Sequence, residues 1–370
     1  MSKRSVRKRR PNKSLLLYSG GLAGAGPSSS KEVPMSFELI LPFLRPIEPL
    51  LLDDSISEVM GNPDASWWYE RDGIVHRAAS VSFDAGRLRT GLEVIANQLG
   101  KRLDEDNPLL HAQLPDGSRL AAVIPPVVRP APALTIRKFP SRHYSVDDLI
   151  ARGTLSRPLA DFLAAEIRSG KSLLISGGTA TGKTTVLRAL AHAIPEEQRI
   201  VVIEDTSELH LQKPNLLAVE CQTDTFKASI TFDDLLKSAL RWRPDRIILG
   251  EVRGIEARTL LDSLNTGHTG SLATIHASSA TKALRRFANL VLRAHAQAAF
   301  EDIEAEIAEG INYVVHVERD AGRRVIREVL RLDDYDRRNQ KFKLETVFTI
   351  DSALNSDSIS NRKDTSNAIA

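Results

Sequence analysis

Eight residues restrict this chain more than any other part of it: Gly177-Gly178-Thr179-Ala180-Thr181-Gly182-Lys183-Thr184. Their spacing is G-x-x-x-x-G-K-[ST]. The apolar run Ser172-Leu173-Leu174-Ile175-Ser176 comes before them, and a predicted helix over Thr185–Ala193 follows. A strand, a glycine loop and a helix in that order form a phosphate cradle. The glycines let the backbone curl until successive N–H groups point at phosphate oxygens. The helix N-terminus adds partial positive charge. Lys183 is expected to reach the β- and γ-phosphates, and the Thr184 hydroxyl to bind Mg2+. With Thr185, the nucleotide-binding set runs from Gly177 to Thr185.

The loop dictates the kind of domain around it. Residues 151–350 alternate predicted strands (Ser172–Ser176, Arg199–Ile203, Leu216–Glu220, Arg246–Leu249, Leu272–Ile275) with helices expected after Gly182, Ile230, Gly254 and Ser278. That is the pattern of an α/β domain with a mostly parallel sheet covered on both faces. A terminal hairpin is expected over Asn312–Leu332. Residues 36–139 predict a smaller α+β domain. It has a hairpin at Ser66–His76, a helix capped by Asp84, a strand in the apolar run Arg119–Val128 that Pro125-Pro126 stops, and a last strand over Ala133–Phe139. Residues 140–150 are expected to be a short linker. Residues 1–35 and 351–370 read as disordered tails.

The first tail carries Lys3, Arg4, Arg7, Lys8, Arg9, Arg10 and Lys13 with no acid among them. It is either a solvated leader or a contact for acidic lipid or nucleic acid; charge runs of this kind are usually solvated. Leu15-Leu16-Leu17-Tyr18 gives it the outline of a secretory signal, but the apolar part breaks at Ser19-Gly20-Gly21, so export is not expected. The whole chain has 50 basic and 47 acidic residues, which gives no reason to expect specific nucleic-acid recognition. Cys221 is the one cysteine, so no intrachain disulfide or cysteine-based zinc site can form. Need for cellular ATP makes the cytoplasm the expected location.

Hydrolysis also requires a polarised water. Two acidic segments sit at the ends of predicted core strands, where ligands bind in such sheets. One is Ile203-Glu204-Asp205-Thr206-Ser207-Glu208, the other Ile247-Ile248-Leu249-Gly250-Glu251-Val252-Arg253-Gly254. The latter has the form of a Walker B segment, except that Gly250 replaces the usual aspartate and Glu251 supplies the acid. Glu251 is therefore assigned as the base that orients water, and Glu204 as an acid on the Mg2+ side, acting through water. Thr266-Gly267-His268-Thr269-Gly270-Ser271 leads to His276. Two histidines with no third ligand do not argue for metal. A neutral histidine near a γ-phosphate fits chemically, although spacing alone equally suits polar core or turn histidines. Arg137, Arg241, Arg243 and Arg253 are candidates to meet transition-state charge; each taken singly also reads as a surface residue.

These four segments, in this order, resemble the Walker A, aspartate box, Walker B and histidine box of the secretion, or traffic, ATPases. Arg241-Trp242-Arg243-Pro244-Asp245-Arg246 and Ile136-Arg137-Lys138-Phe139 resemble that family too. The resemblance spans Ser36 to about Val347. It implies a RecA-like P-loop C-terminal domain behind a PAS-like N-terminal domain that sends Arg137 to the nucleotide. It further implies ATP and Mg2+ as ligands, a homo-hexameric ring, and roles for His268 and His276 in sensing the γ-phosphate. Inner-membrane components of a secretion, conjugation or pilus machine would be the partners, with peripheral membrane contact. One cysteine leaves no room for the four-cysteine zinc module common in type II secretion ATPases. The compact N-terminal domain is most similar to that of the conjugal-transfer and type IV secretion branch, with tight-adherence pili close behind. A RecA-like nucleic-acid motor is the alternative of another class.

Overall fold

The computed structural model describes residues 41–71, 73–139, 143–222, 229–320 and 322–350. The two expected tails lie outside the described residues, as do Asp72 of the expected hairpin turn and Pro140 of the expected linker.

Two sheets organise a mixed α/β chain. The first has six strands in the order β3-β2-β1-β6-β5-β4: β1 (Ile56–Gly61), β2 (Trp67–Arg71), β3 (Ile74–Arg77), β4 (Leu109–Gln113), β5 (Arg119–Val123) and β6 (Ala133–Arg137). Every pairing in it is antiparallel. Helices α1 (Leu41–Leu44), α2 (Glu48–Leu52) and α3 (Ala85–Gln98) pack against it through Leu44, Leu51, Leu88, Leu92 and Ile95. Asp84 caps α3 by accepting the N–H of Arg87, as its sequence position predicts. Strand β5 stops at Val123, ahead of Pro125 and Pro126 as expected, because neither proline has an N–H for the ladder.

The segment 140–150 is not all linker. Ser145 and Asp148 form a capping box that starts α4 (Val146–Ala151), and Leu149 is buried in the second domain's core. Helix α5 (Arg157–Arg168) follows, with Leu159, Leu163 and Ile167 inward.

The second sheet has eight strands in the order β14-β13-β12-β7-β11-β10-β8-β9: β7 (Leu173–Gly177), β8 (Ile200–Glu204), β9 (Leu216–Glu220), β10 (Arg246–Val252), β11 (Leu272–His276), β12 (Tyr313–Asp320), β13 (Arg323–Asp336) and β14 (Lys341–Thr349). From β12 to β9 all neighbours are parallel. Their continuous apolar runs follow from burial on both faces. Helices α4, α5 and α6 (Lys183–Ala191) cover one face, and α7 (Phe232–Ala239), α8 (Glu256–Asn265), α9 (Ala280–Ala294) and α10 (Phe300–Gly310) the other. Helix α6 starts at Lys183, directly after Gly182 as expected, and so takes in Lys183 and Thr184 ahead of the Thr185–Ala193 run.

The expected terminal hairpin forms, with β12 antiparallel to β13, but it is not peripheral. Strand β12 also pairs with β7, Val317 opposite Gly177, which puts it directly beside the glycine loop. Burial of every residue from Tyr313 to Val317 is the signature of such a core strand.

Candidate nucleotide site

The parallel strands all end at one edge, and the glycine loop springs from the middle of it. A Cβ on Gly177 would fall 2.3 Å from Val317 O and 2.6 Å from Thr181 Oγ1, so no side chain fits there. Ala180 and Gly182 have positive φ, 57° and 93°, and turn the chain into α6. No side chain caps that helix at Gly182, so its first N–H groups face the loop's mouth. Gly178, Thr179 and Ala180 are exposed, and Thr184 and Thr185 are half-buried in the helix's first turn. The Thr181 hydroxyl donates to Gly178 O at 3.0 Å and braces the loop.

Lys183 is only 7% exposed. Its Nζ donates to Gly178 O at 2.8 Å and lies 3.4 Å from His276 Nδ1. Burial pushes its amine down to about 8; Glu251 opposes the fall, and Arg137 and Arg253 add to it. At the end of the neighbouring strand, His276 Nε2 is 3.2 Å from Glu251 Oε1. Burial, helped by Lys183, holds His276 below the usual histidine range, with Glu251 pulling the other way. A neutral ring fits both contacts, with Nδ1 accepting from Lys183 and Nε2–H donating to Glu251. Glu251 Oε2 accepts from Arg253 Nη2 at 2.9 Å, and Arg253 Nη1 donates to Asp205 Oδ2 at 3.0 Å. The structure thus joins Lys183, His276, Glu251 and Arg253 in one contiguous group.

Glu204 takes a different place from the one expected. It ends β8, three strand spacings from β7 in the order β7-β11-β10-β8, or roughly 14 Å. Its carboxylate accepts the N–H groups of Glu208 at 3.0 Å and Leu209 at 3.1 Å. Burial pushes its pKa up to about 7 against those two bonds. Glu204 fastens its own loop to the sheet instead of facing Thr184.

His268 and Arg241 are separated from the site by strand direction. Residue 268 precedes β11, so it lies at the opposite end of that five-residue strand from His276, roughly 16 Å away. There Gly270 N–H donates to Ser172 Oγ at the entrance of β7. Arg241 follows α7 at the same far edge and donates to Lys237 O; Arg243 adjoins it, just ahead of β10.

The N-terminal domain reaches the site. Arg137 ends β6, and its charge acts on Lys183. Its cross-strand neighbour Arg119, which carries no local sequence signal, makes the direct contact: Nη2 is 2.8 Å from Glu208 Oε1 and 3.2 Å from Thr206 O. Phe139 stacks edge-on against His210 at 4.7 Å. Glu256 is another residue that sequence reasoning misses. Buried, it accepts the N–H groups of Arg253 at 2.5 Å and Gly254 at 2.7 Å, fixing the turn that aims Arg253. An acid three residues past Arg253 at a helix start is the signal that could have found it.

A glycine loop on a central parallel strand, an uncapped helix N-terminus, a buried lysine and a held glutamate define a P-loop nucleotide-binding protein. The chain belongs to the type II/IV secretion system protein family, whose model matches residues 44–347. It is 36% identical over 301 residues to the probable conjugal transfer protein TrbB of Sinorhizobium fredii, covering 80% of this chain and 88% of that one. It is 32% identical over 342 residues to the type IV secretion system protein VirB11 of Bartonella quintana, covering 81% and 95%. Its fold resembles the X-ray structure of the Legionella pneumophila ATPase DotB, with a TM-score of 0.57 and 19% identity over 82% of this chain and 84% of that one. Among the described residues no helix is long and apolar enough to cross a membrane.

Proposed function

We propose that this chain is an ATP-hydrolysing ring motor of a bacterial secretion or conjugation apparatus, with a RecA-like motor domain behind a PAS-like N-terminal domain. The observation that carries this reading is the line from Lys183 through His276 to Glu251 beside a complete phosphate loop. ATP is held by Gly177–Thr185. The Thr184 hydroxyl is a hard oxygen on the first turn of α6, next to Lys183, and suits Mg2+. A metal ion held there by Thr184 would supply positive charge to offset that of the phosphates. Glu251 orients the attacking water, and His276 and Arg253 hold its carboxylate in place before the reaction. His276 also links Glu251 to Lys183, so the base senses the phosphate. Arg253 and, from the other domain, Arg137 meet the negative charge. Glu204 positions the loop that Arg119 grips, so domain movement and chemistry share one contact.

The names of the relatives, conjugal transfer and type IV secretion, support that branch over the pilus branches. In this reading six copies form a ring on the cytoplasmic face of the inner membrane, in peripheral contact with it and with the machine's membrane components. The test is ATP turnover by the purified protein, with and without Mg2+, alongside sizing in ATP and Mg2+. Lys183→Ala and Glu251→Gln should each lower turnover about 10²-fold or more. Unchanged turnover in both would sink the assignment, as turnover without Mg2+ would sink the metal's role.

A further inference from the structure

The hairpin of β12 and β13 runs past the edge where the other strands stop. Val317 is level with Gly177, the last residue of β7, and β12 continues through Asp320 before β13 returns from Arg323. On this overhang Arg319 and Arg324 are directly paired across the two strands. Residues so paired lie on one face of the ribbon, and like charges there repel. A counter-charge beside either cation relieves that repulsion. Arg319 has one on the N-terminal domain: Nη2 is 3.8 Å from Glu70 Oε1, and Nη1 donates to Gly73 O at 3.2 Å. Arg324 makes no ion pair among the described residues. Its side chain lies along the glycine loop instead, Cδ 3.0 Å and Nε 3.7 Å from where a Cβ on Gly182 would stand.

We infer that Arg324 is a nucleotide-binding residue that meets a phosphate of the nucleotide in the loop. This rests on the P-loop reading above. Three features favour phosphate. The guanidinium stem touches the loop at the helix N-terminus, where anions bind. Arginine forks match phosphate oxygens. Glu70, the carboxylate whose charge acts on Arg324, is already in an ion pair with Arg319. Nucleotide then settles one arginine of the pair while the N-terminal domain settles the other, so the hairpin joins both.

The experiment measures dissociation constants by calorimetry on the full chain, for ATP and for inorganic tripolyphosphate. The proteins are the unmodified chain, Arg324→Ala, Arg324→Lys, Arg319→Ala and Lys183→Ala, with thermal melts reporting folding. Arg324→Ala should weaken both ligands about tenfold or more, the size of a lost charge-assisted contact. Arg324→Lys should recover part of the loss, which covers any folding defect in the alanine variant. Arg319→Ala should change affinity less than about threefold. Wild-type binding by folded Arg324→Ala, with binding lost in Lys183→Ala, overturns this inference and leaves the P-loop reading standing. Wild-type binding by Lys183→Ala overturns both. A loss for ATP without one for tripolyphosphate overturns the phosphate contact.

Discussion

Glu204 fills the space that Gly250 leaves open. A Cβ on Gly250 would stand 3.1 Å from Glu204 Cγ and 3.5 Å from Ile203 O. A glycine rather than an aspartate at position 250 of β10 thus has a packing cause: the neighbouring strand's glutamate occupies that volume, and two backbone N–H groups hold it there. Since Glu204 is tied down, Gly250→Ala should destabilise the protein by about 1–3 kcal/mol. Gly250→Asp should cost more, because it adds a further carboxylate beside a buried one. Urea denaturation reads this directly, and an unchanged midpoint for Gly250→Ala would refute the packing account.

Glu204 also predicts a pH dependence. Its folded pKa of about 7 stands above the ordinary 4.5. Between those values the folded chain binds more protons than the unfolded one, so this group's contribution to stability falls as pH rises from about 4.5 to 7 and then levels. The gap of 7 − 4.5 = 2.5 corresponds to about 3 kcal/mol. Glu204→Gln should flatten that slope when unfolding free energies at pH 5 and pH 7 are compared. Equal slopes in the two proteins would contradict it.

Lys183 should make nucleotide binding sensitive to alkali. With its amine at about 8, the free protein carries the charge below that pH and loses it above. Phosphate favours the charged form, so binding above pH 8 must take up a proton. Affinity should fall by up to about tenfold per pH unit there. Calorimetry of ATP in buffers of different ionisation enthalpy at pH 9 should show the proton uptake, and its absence would place the lysine's pKa elsewhere.

The two histidines should behave differently. His276 touches Lys183 and Glu251, so His276→Ala should lower ATP turnover by about 10²-fold. His268 lies at the other end of β11, and His268→Ala should change turnover by less than about twofold, as for a side chain outside the site. Equal losses in the two variants would show that strand direction misplaces His268.

How far the sequence carries depends on whether a signal is local. The loop Gly177–Thr184 and the core runs around it are legible because a strand buried on both faces must be apolar throughout. Helix starts at Asp84 and Gly182 are readable for similar local reasons. Strand β1 is not, since Ile-Ser-Glu-Val-Met-Gly alternates weakly, nor is the role of β12, whose apolar run merges with its hairpin. Thr266–His276 reads as one box, yet a strand runs through it and sends its two histidines to opposite edges. The domain contact is least visible: Arg119 and Thr206 are 87 residues apart, and nothing near either marks them as partners.

Strand β7 is held between β11 and β12, and the N–H of Ser172 at its entrance donates to Asn312 Oδ1, 140 residues further along the chain. A ribosome therefore makes the phosphate loop long before either strand that shapes it. Closing so long a connection is slow and leaves the edges of β7 unpaired meanwhile. A nascent chain halted before β12 carries every residue of the motif and still lacks Val317, against which Gly177 is packed. Packing of the glycine loop against both of its neighbouring strands is therefore complete only after nearly the whole domain has been synthesised.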